Sequence, residues 1–548
     1  MASLTPMQGA LGHRYAAHLL RRTSYRYTKV KVDEMAGQTA AQAVASLLQL
    51  YPLLHDQPVY DQNESPGSAS PGTWCLPPGA LPPTEDFKLR PWLAAWWVNE
   101  ALNDPGIGHR MTFFLHQFNA MAMTAFLTVH YFDYLTLLRW SALGNFKKLA
   151  TKIVVDNAML KYLNNTENSK DNPNENFARE FFELFTIGKG PQIGPGDYTN
   201  YTEDDIVQAA KVLTGFRVKG GRSVMDTETN IPRGGVNYAE HDDTAKTFSD
   251  KFQGTTIAAA ADEAGMWLEL DAFVNMTFAQ PETAKNFCRR LYRYFVSRYI
   301  TPEIESDIIT PLSDTFIANN FEIKPVLEQL FQSQHFFDAD DSDNKDEIIG
   351  GIIKSPIELA LQSITFFDLA VPKPDTDLEA YFDFIGRGVV GRMFQLANMP
   401  LFYPPDVAGY PGYFQEPDLH RQWFNASTMV ARYKIPAMLL SGKMTVGDTP
   451  DDPLGAKFDA AAWVKNSGVI SDATDAYVLV QDLLTYLLPE ETDTDRFNYF
   501  HNIVFLDQLP PADWTYEWQN YLNTGDDTEV KIPLGRLFNA ILYSAEYQ

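Results

Sequence analysis

The chain has 548 residues, 44 basic against 70 acidic side chains, a formal net charge of −26 and 45% hydrophobic residues. So acidic a surface repels nucleic acid and anionic membrane, which argues against both as partners. Only Cys75 and Cys288 are present, too few for a structural zinc site of their own, and either one disulfide or two free thiols fits them. No apolar run reaches the ~18 residues of a membrane span. The first residues, MASLTPMQGALGHRYAAHLLRR, lack the pattern of a secretory leader. That predicts either a cytoplasmic protein or a mature form missing its leader.

In chain order, residues 13–50 predict two short helices. Residues 56–86, rich in Pro, Gly and Ser, predict a long loop excursion. From Arg90 helical periodicity returns over PWLAAWWVNEALN, GIGHRMTFFLHQFNAMAM and FDYLTLLRWSALGNFKKLATKIVVDNAMLKYL. Residues 216–250 are polar and irregular. Helix resumes at PETAKNFCRRLYRYFVSRYI, KPVLEQLFQSQHFF and SPIELALQSITFFDLA. The C-terminal third alternates helices with proline-rich connections such as MPLFYPPDVAGYPGYF. The expected fold is mainly α: one large helical domain over 1–548, with long irregular loops and few short strands.

The densest chemistry lies in NPNENFAREFFELFTIGKG, residues 172–190. Asn172 before Pro173 predicts an N-cap, Gly188 a terminator, and the helix between them runs to about Ile187. Phe177, Phe181, Leu184 and Phe185 recur at helical spacing and form the expected buried face. Glu175, Arg179 and Glu183 form a stripe at i, i+4 and i+8, while Glu180 lies about 100° around from Arg179. The structural reading is a solvated Glu–Arg–Glu ladder with Glu175 as a holding residue. The functional reading places Glu180 or Glu183 in a cleft for acid–base work, with a largely buried Arg179 paired to Glu183 or Glu175. In the following YTEDDIVQAAKVLTGF, Thr202 and Asp205 predict a box-like helix cap.

His116 and Asn119 lie three apart in RMTFFLHQFNAM, among phenylalanines, where a histidine is more often a core residue than a ligand. HDDTAKTF places His241, Asp242, Asp243 and Lys246 in a polar loop, where functional residues concentrate. His116, His241 and Glu180 have the chemistry of metal ligands, but their spacing does not bring them together, so no metal or other cofactor is assigned. The Asp-rich run Asp338–Glu347 lacks the glycine and terminal glutamate pattern of an EF-hand loop.

These segments resemble, nearly end to end and in order, a large bacterial family catalogued as domain of unknown function eighteen hundred. HLLRRTSY, RMTFFLHQF, SALGNFKKLATKIVVDNAMLKYLNN, PNENFAREFFELFTIGKG with YTEDDIVQAAKVLTGF, HDDTAKTF, KSPIE and PPDVAGYPGY carry the likeness. The resemblance implies an exported protein, periplasmic or extracellular, from bacteria that process complex polymers. Many members carry a second histidine two positions after the first, where this chain has Phe118, which weakens a His-x-His metal site. The family's glycine–tryptophan pair is Gly409–Tyr410 here.

The function expected is a hydrolase or lyase acting on a polymer such as glycan or peptide. Glu180, Glu183, Arg179, His116 and His241 would serve catalysis, and Asn119, Tyr410 and Tyr413 would bind substrate. A second carboxylate from another segment, such as Asp242, suits glycoside chemistry better than two on one helix. The alternative is a non-catalytic binding or assembly protein of the envelope, with Trp92, Trp96, Trp97, Tyr410 and Tyr413 as an aromatic surface. A cofactor-dependent oxidoreductase ranks last, because no glycine-rich dinucleotide motif is present. We expect His116, Asn119, Arg179, Glu180 and His241 to converge on one polar pocket.

Overall fold

Hydrophobic periodicity dominates the sequence, and helices dominate the fold. The computed structural model describes residues 2–63, 71–75, 85–340, 348–443, 455 and 457–548. Most of the Asp-rich run falls outside the described residues. One continuous apolar core takes in side chains from Leu11 to Tyr547. Its centre is the Gly108–Phe118 helix, every residue of which is buried. A helix buried on all sides sits inside other elements, and its polar members, such as Arg110 and His116, must find partners there. It packs on Thr128–Ser141, which also meets Asp86–Asn103. Phe114 and Phe118 enter a ladder of rings with Phe146, Phe287 and Phe316 at centroid spacings of 4.6–5.7 Å.

The strands among the described residues form four separate two-stranded antiparallel pairs. Val59–Asp61 with Pro71–Thr73 lies inside the predicted 56–86 excursion. Phe216–Arg217 pairs with Gly235–Val236, and Lys246–Thr247 with Thr256–Ile257, so the 216–250 segment holds short strands within its irregular course. The N-terminal region differs from expectation: it forms three helices, Gly12–Thr23, Lys29–Ala36 and Ala40–Leu47. The extra break falls at Thr28, whose side chain accepts from Lys31 N and starts a new helix. Both cysteines are buried and unpaired. Among the described residues no helix is long and apolar enough to cross a membrane.

The Thr202–Asp205 cap forms as the sequence predicts. Thr202 accepts from Asp205 N, and the Asp205 carboxylate accepts from Thr202 N. Asp205 is also fully buried and accepts from the main chain and hydroxyl of Ser249, fastening a distant loop to the helix start. Replacing Asp205 by Ala therefore removes a cap and strands Ser249. Chemical denaturation should show a loss of about 2–3 kcal/mol. A loss below about 0.5 kcal/mol would mean that water replaces these bonds.

Candidate active site around Glu180

The central block starts later and winds differently than its 3.6-residue pattern implies. Asn172 is not the N-cap: it is exposed, and its N–H donates to Ser169 O in a turn that precedes the helix. Asn174 instead accepts from Asn176 N, and the helix begins at Asn176. After Glu180 the helix widens into a π turn over Phe181–Phe185. One extra residue per turn rotates the later side chains, so Phe182 is buried and Leu184 only half-buried, while Phe181 and Phe185 are buried as predicted. Such bulges recur at functional sites. Gly188, at φ +76°, ends the block.

The widening decides what each carboxylate does. Arg179 is half-buried rather than largely buried, and its main partner is neither Glu183 nor Glu175 but Glu203 of the next helix. Its two terminal nitrogens donate to the Glu203 carboxylate at 2.9 and 2.8 Å. Glu175 lies at 3.3 Å and Glu183 at 4.0 Å, so the predicted stripe is present but secondary. Glu183 accepts from the Tyr201 hydroxyl at 2.6 Å and pairs with Lys189 at 3.1 Å. Glu180 is half-buried and, among the described residues, has no hydrogen bond or ion pair. Burial, followed by the charge of Glu183, pushes its carboxyl from 4.5 up to about 7; Arg179 pulls it down, and Asp406 adds a smaller push. Replacing Arg179 by Met removes that pull. A carboxyl-detected NMR titration should then place Glu180 higher still, and a midpoint unchanged or lower would show that Arg179 does not act on it.

Asp406 comes from the PPDVAGYPGY loop, which is seated close by. Its Oδ1 accepts from Ala408 N. Gly409 stands at φ +101°, and a Cβ there would lie 2.8 Å from Gln117 Oε1, so only glycine lets the loop approach this closely. Arg290 ties the other two walls together, donating to Leu184 O in the π turn and to Gln117 O, with its guanidinium 3.7 Å from the centre of the Phe118 ring. Tyr162, at the end of the Asn157–Tyr162 helix, is raised by burial and then by Asp406 and Glu180. Glu180, Asp406 and Tyr162 thus form one electrostatic group drawn from three segments. Sequence reasoning missed Asp406 and Tyr162, although both lie in the blocks that carry the family likeness.

The other predicted residues have partners of their own. His116 is fully buried, its Nδ1 donating to the Tyr134 hydroxyl at 2.9 Å while that hydroxyl donates to Asn119 O at 2.6 Å. Burial drives its pKa down to about 3, so the ring is neutral and Nε2 is left without a partner. Asn119 is buried, its amide donating to Leu115 O. His241 belongs to another cluster: Nδ1 donates to Thr214 O, and Nε2 meets Glu269 at 2.9 Å. Glu269 also takes Lys246 on both oxygens at 2.9 Å, while Asp242 accepts from Thr244 N. Among the described residues, His116, Glu180 and His241 share no hydrogen-bond or ring partner. Tyr410 is in the core, its hydroxyl donating to Pro400 O, and Tyr413 stacks on Tyr294 at 5.2 Å. Trp96 and Trp97 are buried too, and Trp92 lies flat on Phe382 at 3.9 Å. Those aromatics pack the interior rather than form a platform. Among the described residues no group of three or more His, Cys, Asp or Glu is arranged to hold a metal ion.

Fold and site together define a mainly α-helical protein in which an isolated carboxyl lies at a π turn. The family described as "Protein of unknown function (DUF1800)" matches residues 18–548, and the chain belongs to it. No curated protein and no solved structure matches the chain.

Proposed function

We propose that this protein is a hydrolase or lyase acting on a polymer such as glycan or peptide, in the periplasm or outside the cell, with Glu180 as its acid–base group. The observation that carries the reading is Glu180 itself. It is half-buried and unpaired beside an arginine whose fork is engaged by Glu203. A carboxyl titrating near neutral pH gives a proton to a leaving group when protonated and takes one from water or a substrate carbon when ionised. Exposed Asp406 is the candidate second carboxylate, from a separate segment as two-carboxylate chemistry requires. Glu183 and Arg179 serve as positioning groups in this reading, because each is held by its neighbours.

The experiment compares the parent protein with Glu180→Gln on uncharged and cationic glycans and peptides. Cleavage should show an inflection near pH 7, and Glu180→Gln should lose at least about 100-fold. Equal turnover by a folded Glu180→Gln protein would assign catalysis elsewhere. Cleavage of nothing by the parent would favour the binding reading.

A further inference from the structure

The C-terminal helices expose far more apolar surface than their packing needs. Leu509, Tyr516 and Ile532 are each more than half exposed, at 57%, 69% and 56%. They do not stand singly. Helices Pro511–Thr524 and Thr528–Leu542 pack as a hairpin, and a groove of about 430 Å³ runs between them, closed by the residues from Phe505 to Pro510. Trp514 forms its floor, and Leu509, Tyr516, Ile532 and Pro533 its apolar sides. Contiguous apolar surface rimmed by polar groups marks an interaction site, whereas scattered exposed side chains do not.

The rim specifies the occupant's charge. Asp513, Glu517 and Glu529 line the groove and have no ion pair among the described residues. The groove's cation, Arg536, is already paired with Asp507 at 2.6 Å. Pro533, inside its helix, has no N–H to give the carbonyl of Glu529, so an acceptor is also left open on this wall. A groove between two helices with apolar floor and unmatched carboxylates suits a third helix that carries an apolar stripe flanked by Lys or Arg. We infer that this groove docks a basic amphipathic helix of a partner protein. The longer lined wall, from Glu529 to Arg536, gives a contact about 12 Å long, enough for two turns. The inference stands apart from the role of Glu180, since no groove residue belongs to that site.

The test uses the full chain, a 14-residue Leu/Lys amphipathic peptide and its Leu/Glu counterpart, by calorimetry at low and high salt. Saturable one-to-one binding of the Leu/Lys peptide, weakened by salt and absent for Leu/Glu, is expected. Ile532→Glu and the pair Glu517→Lys/Glu529→Lys should each weaken it at least tenfold; Ile532 and Glu529 are exposed and Glu517 is half-buried. Unchanged binding by those variants would place the peptide elsewhere on the acidic surface and overturn the inference. So would failure of the Leu/Lys peptide to bind. Sedimentation that shows a dimer abolished by Ile532→Glu, or binding to zwitterionic vesicles abolished by it, would give the groove to a second copy or to a lipid surface instead.

Discussion

At pH 8 the Glu180→Gln protein is expected to resist denaturant better than the parent, and at pH 4 the two should be nearly equal. The native carboxyl titrates near 7 against 4.5 for the free side chain, so between those values the folded state holds a proton that the unfolded state has released. Stability from this group is therefore complete below about 4.5, falls as pH rises through the window, and is gone above 7. Converted at 1.36 kcal/mol per pH unit and discounted for the solvent that screens this partly exposed carboxyl, the slope amounts to about 1–2 kcal/mol. Glutamine cannot ionise, so the variant should lose that portion of the pH dependence and gain up to that amount at pH 8. Unfolding of both proteins in urea at pH 4, 6 and 8 measures it. Parallel curves for parent and variant would show that Glu180 is solvated and would remove the physical basis for acid–base work there. Stabilisation on removing a charged side chain is the mark of a site held at a cost to the fold.

The largest loss is expected at Glu269, in the cluster that holds His241. Its buried carboxylate accepts from His241 Nε2, from Lys246 on both oxygens and from Ala260 N at 2.6 Å. Lys246 is fully buried, so Glu269→Ala leaves its ammonium group with only Asp242, at 3.9 Å, as counter-charge. That should cost about 3–5 kcal/mol, and the loss should appear as lowered expression and an earlier denaturant midpoint. The double variant Glu269→Leu/Lys246→Met replaces the pair by apolar groups of similar size and should recover part of the loss, since Ala260 N and His241 Nε2 still lack their acceptor. A single variant within about 1 kcal/mol of the parent would mean that water reaches Lys246. The cluster joins the 241–247 loop to the Glu263–Phe278 helix, a fastening role for a motif whose composition suggested chemistry.

Local patterns and local chemistry agreed wherever one element determined the outcome. The helix-rich fold, the Thr202–Asp205 cap, the Gly188 terminator and the burial of Phe181 and Phe185 all follow from residues within one or two turns of each other. The affinity of Arg179 for carboxylates was equally legible. Its choice of Glu203 over Glu175 and Glu183 was not, because an i, i+4 partner competes poorly with a two-pronged contact from a neighbouring helix. The face of Leu184 was misread because one wide turn shifts every later side chain, and a π turn leaves no mark in hydrophobic spacing.

The sequence by itself determined the class of fold, the family and the residue types available for a site. Only the tertiary structure decided which of those residues meet. It buried His116 against Tyr134, gave His241 to Glu269 and Lys246, and set Asp406 and Tyr162 near Glu180. The physical reason is the range of each interaction. Caps and periodicity act over a few residues and are written in order along the chain. Desolvation and charge act through space, and depend on which distant segments Arg290, Gly409 and the core rings hold against one another.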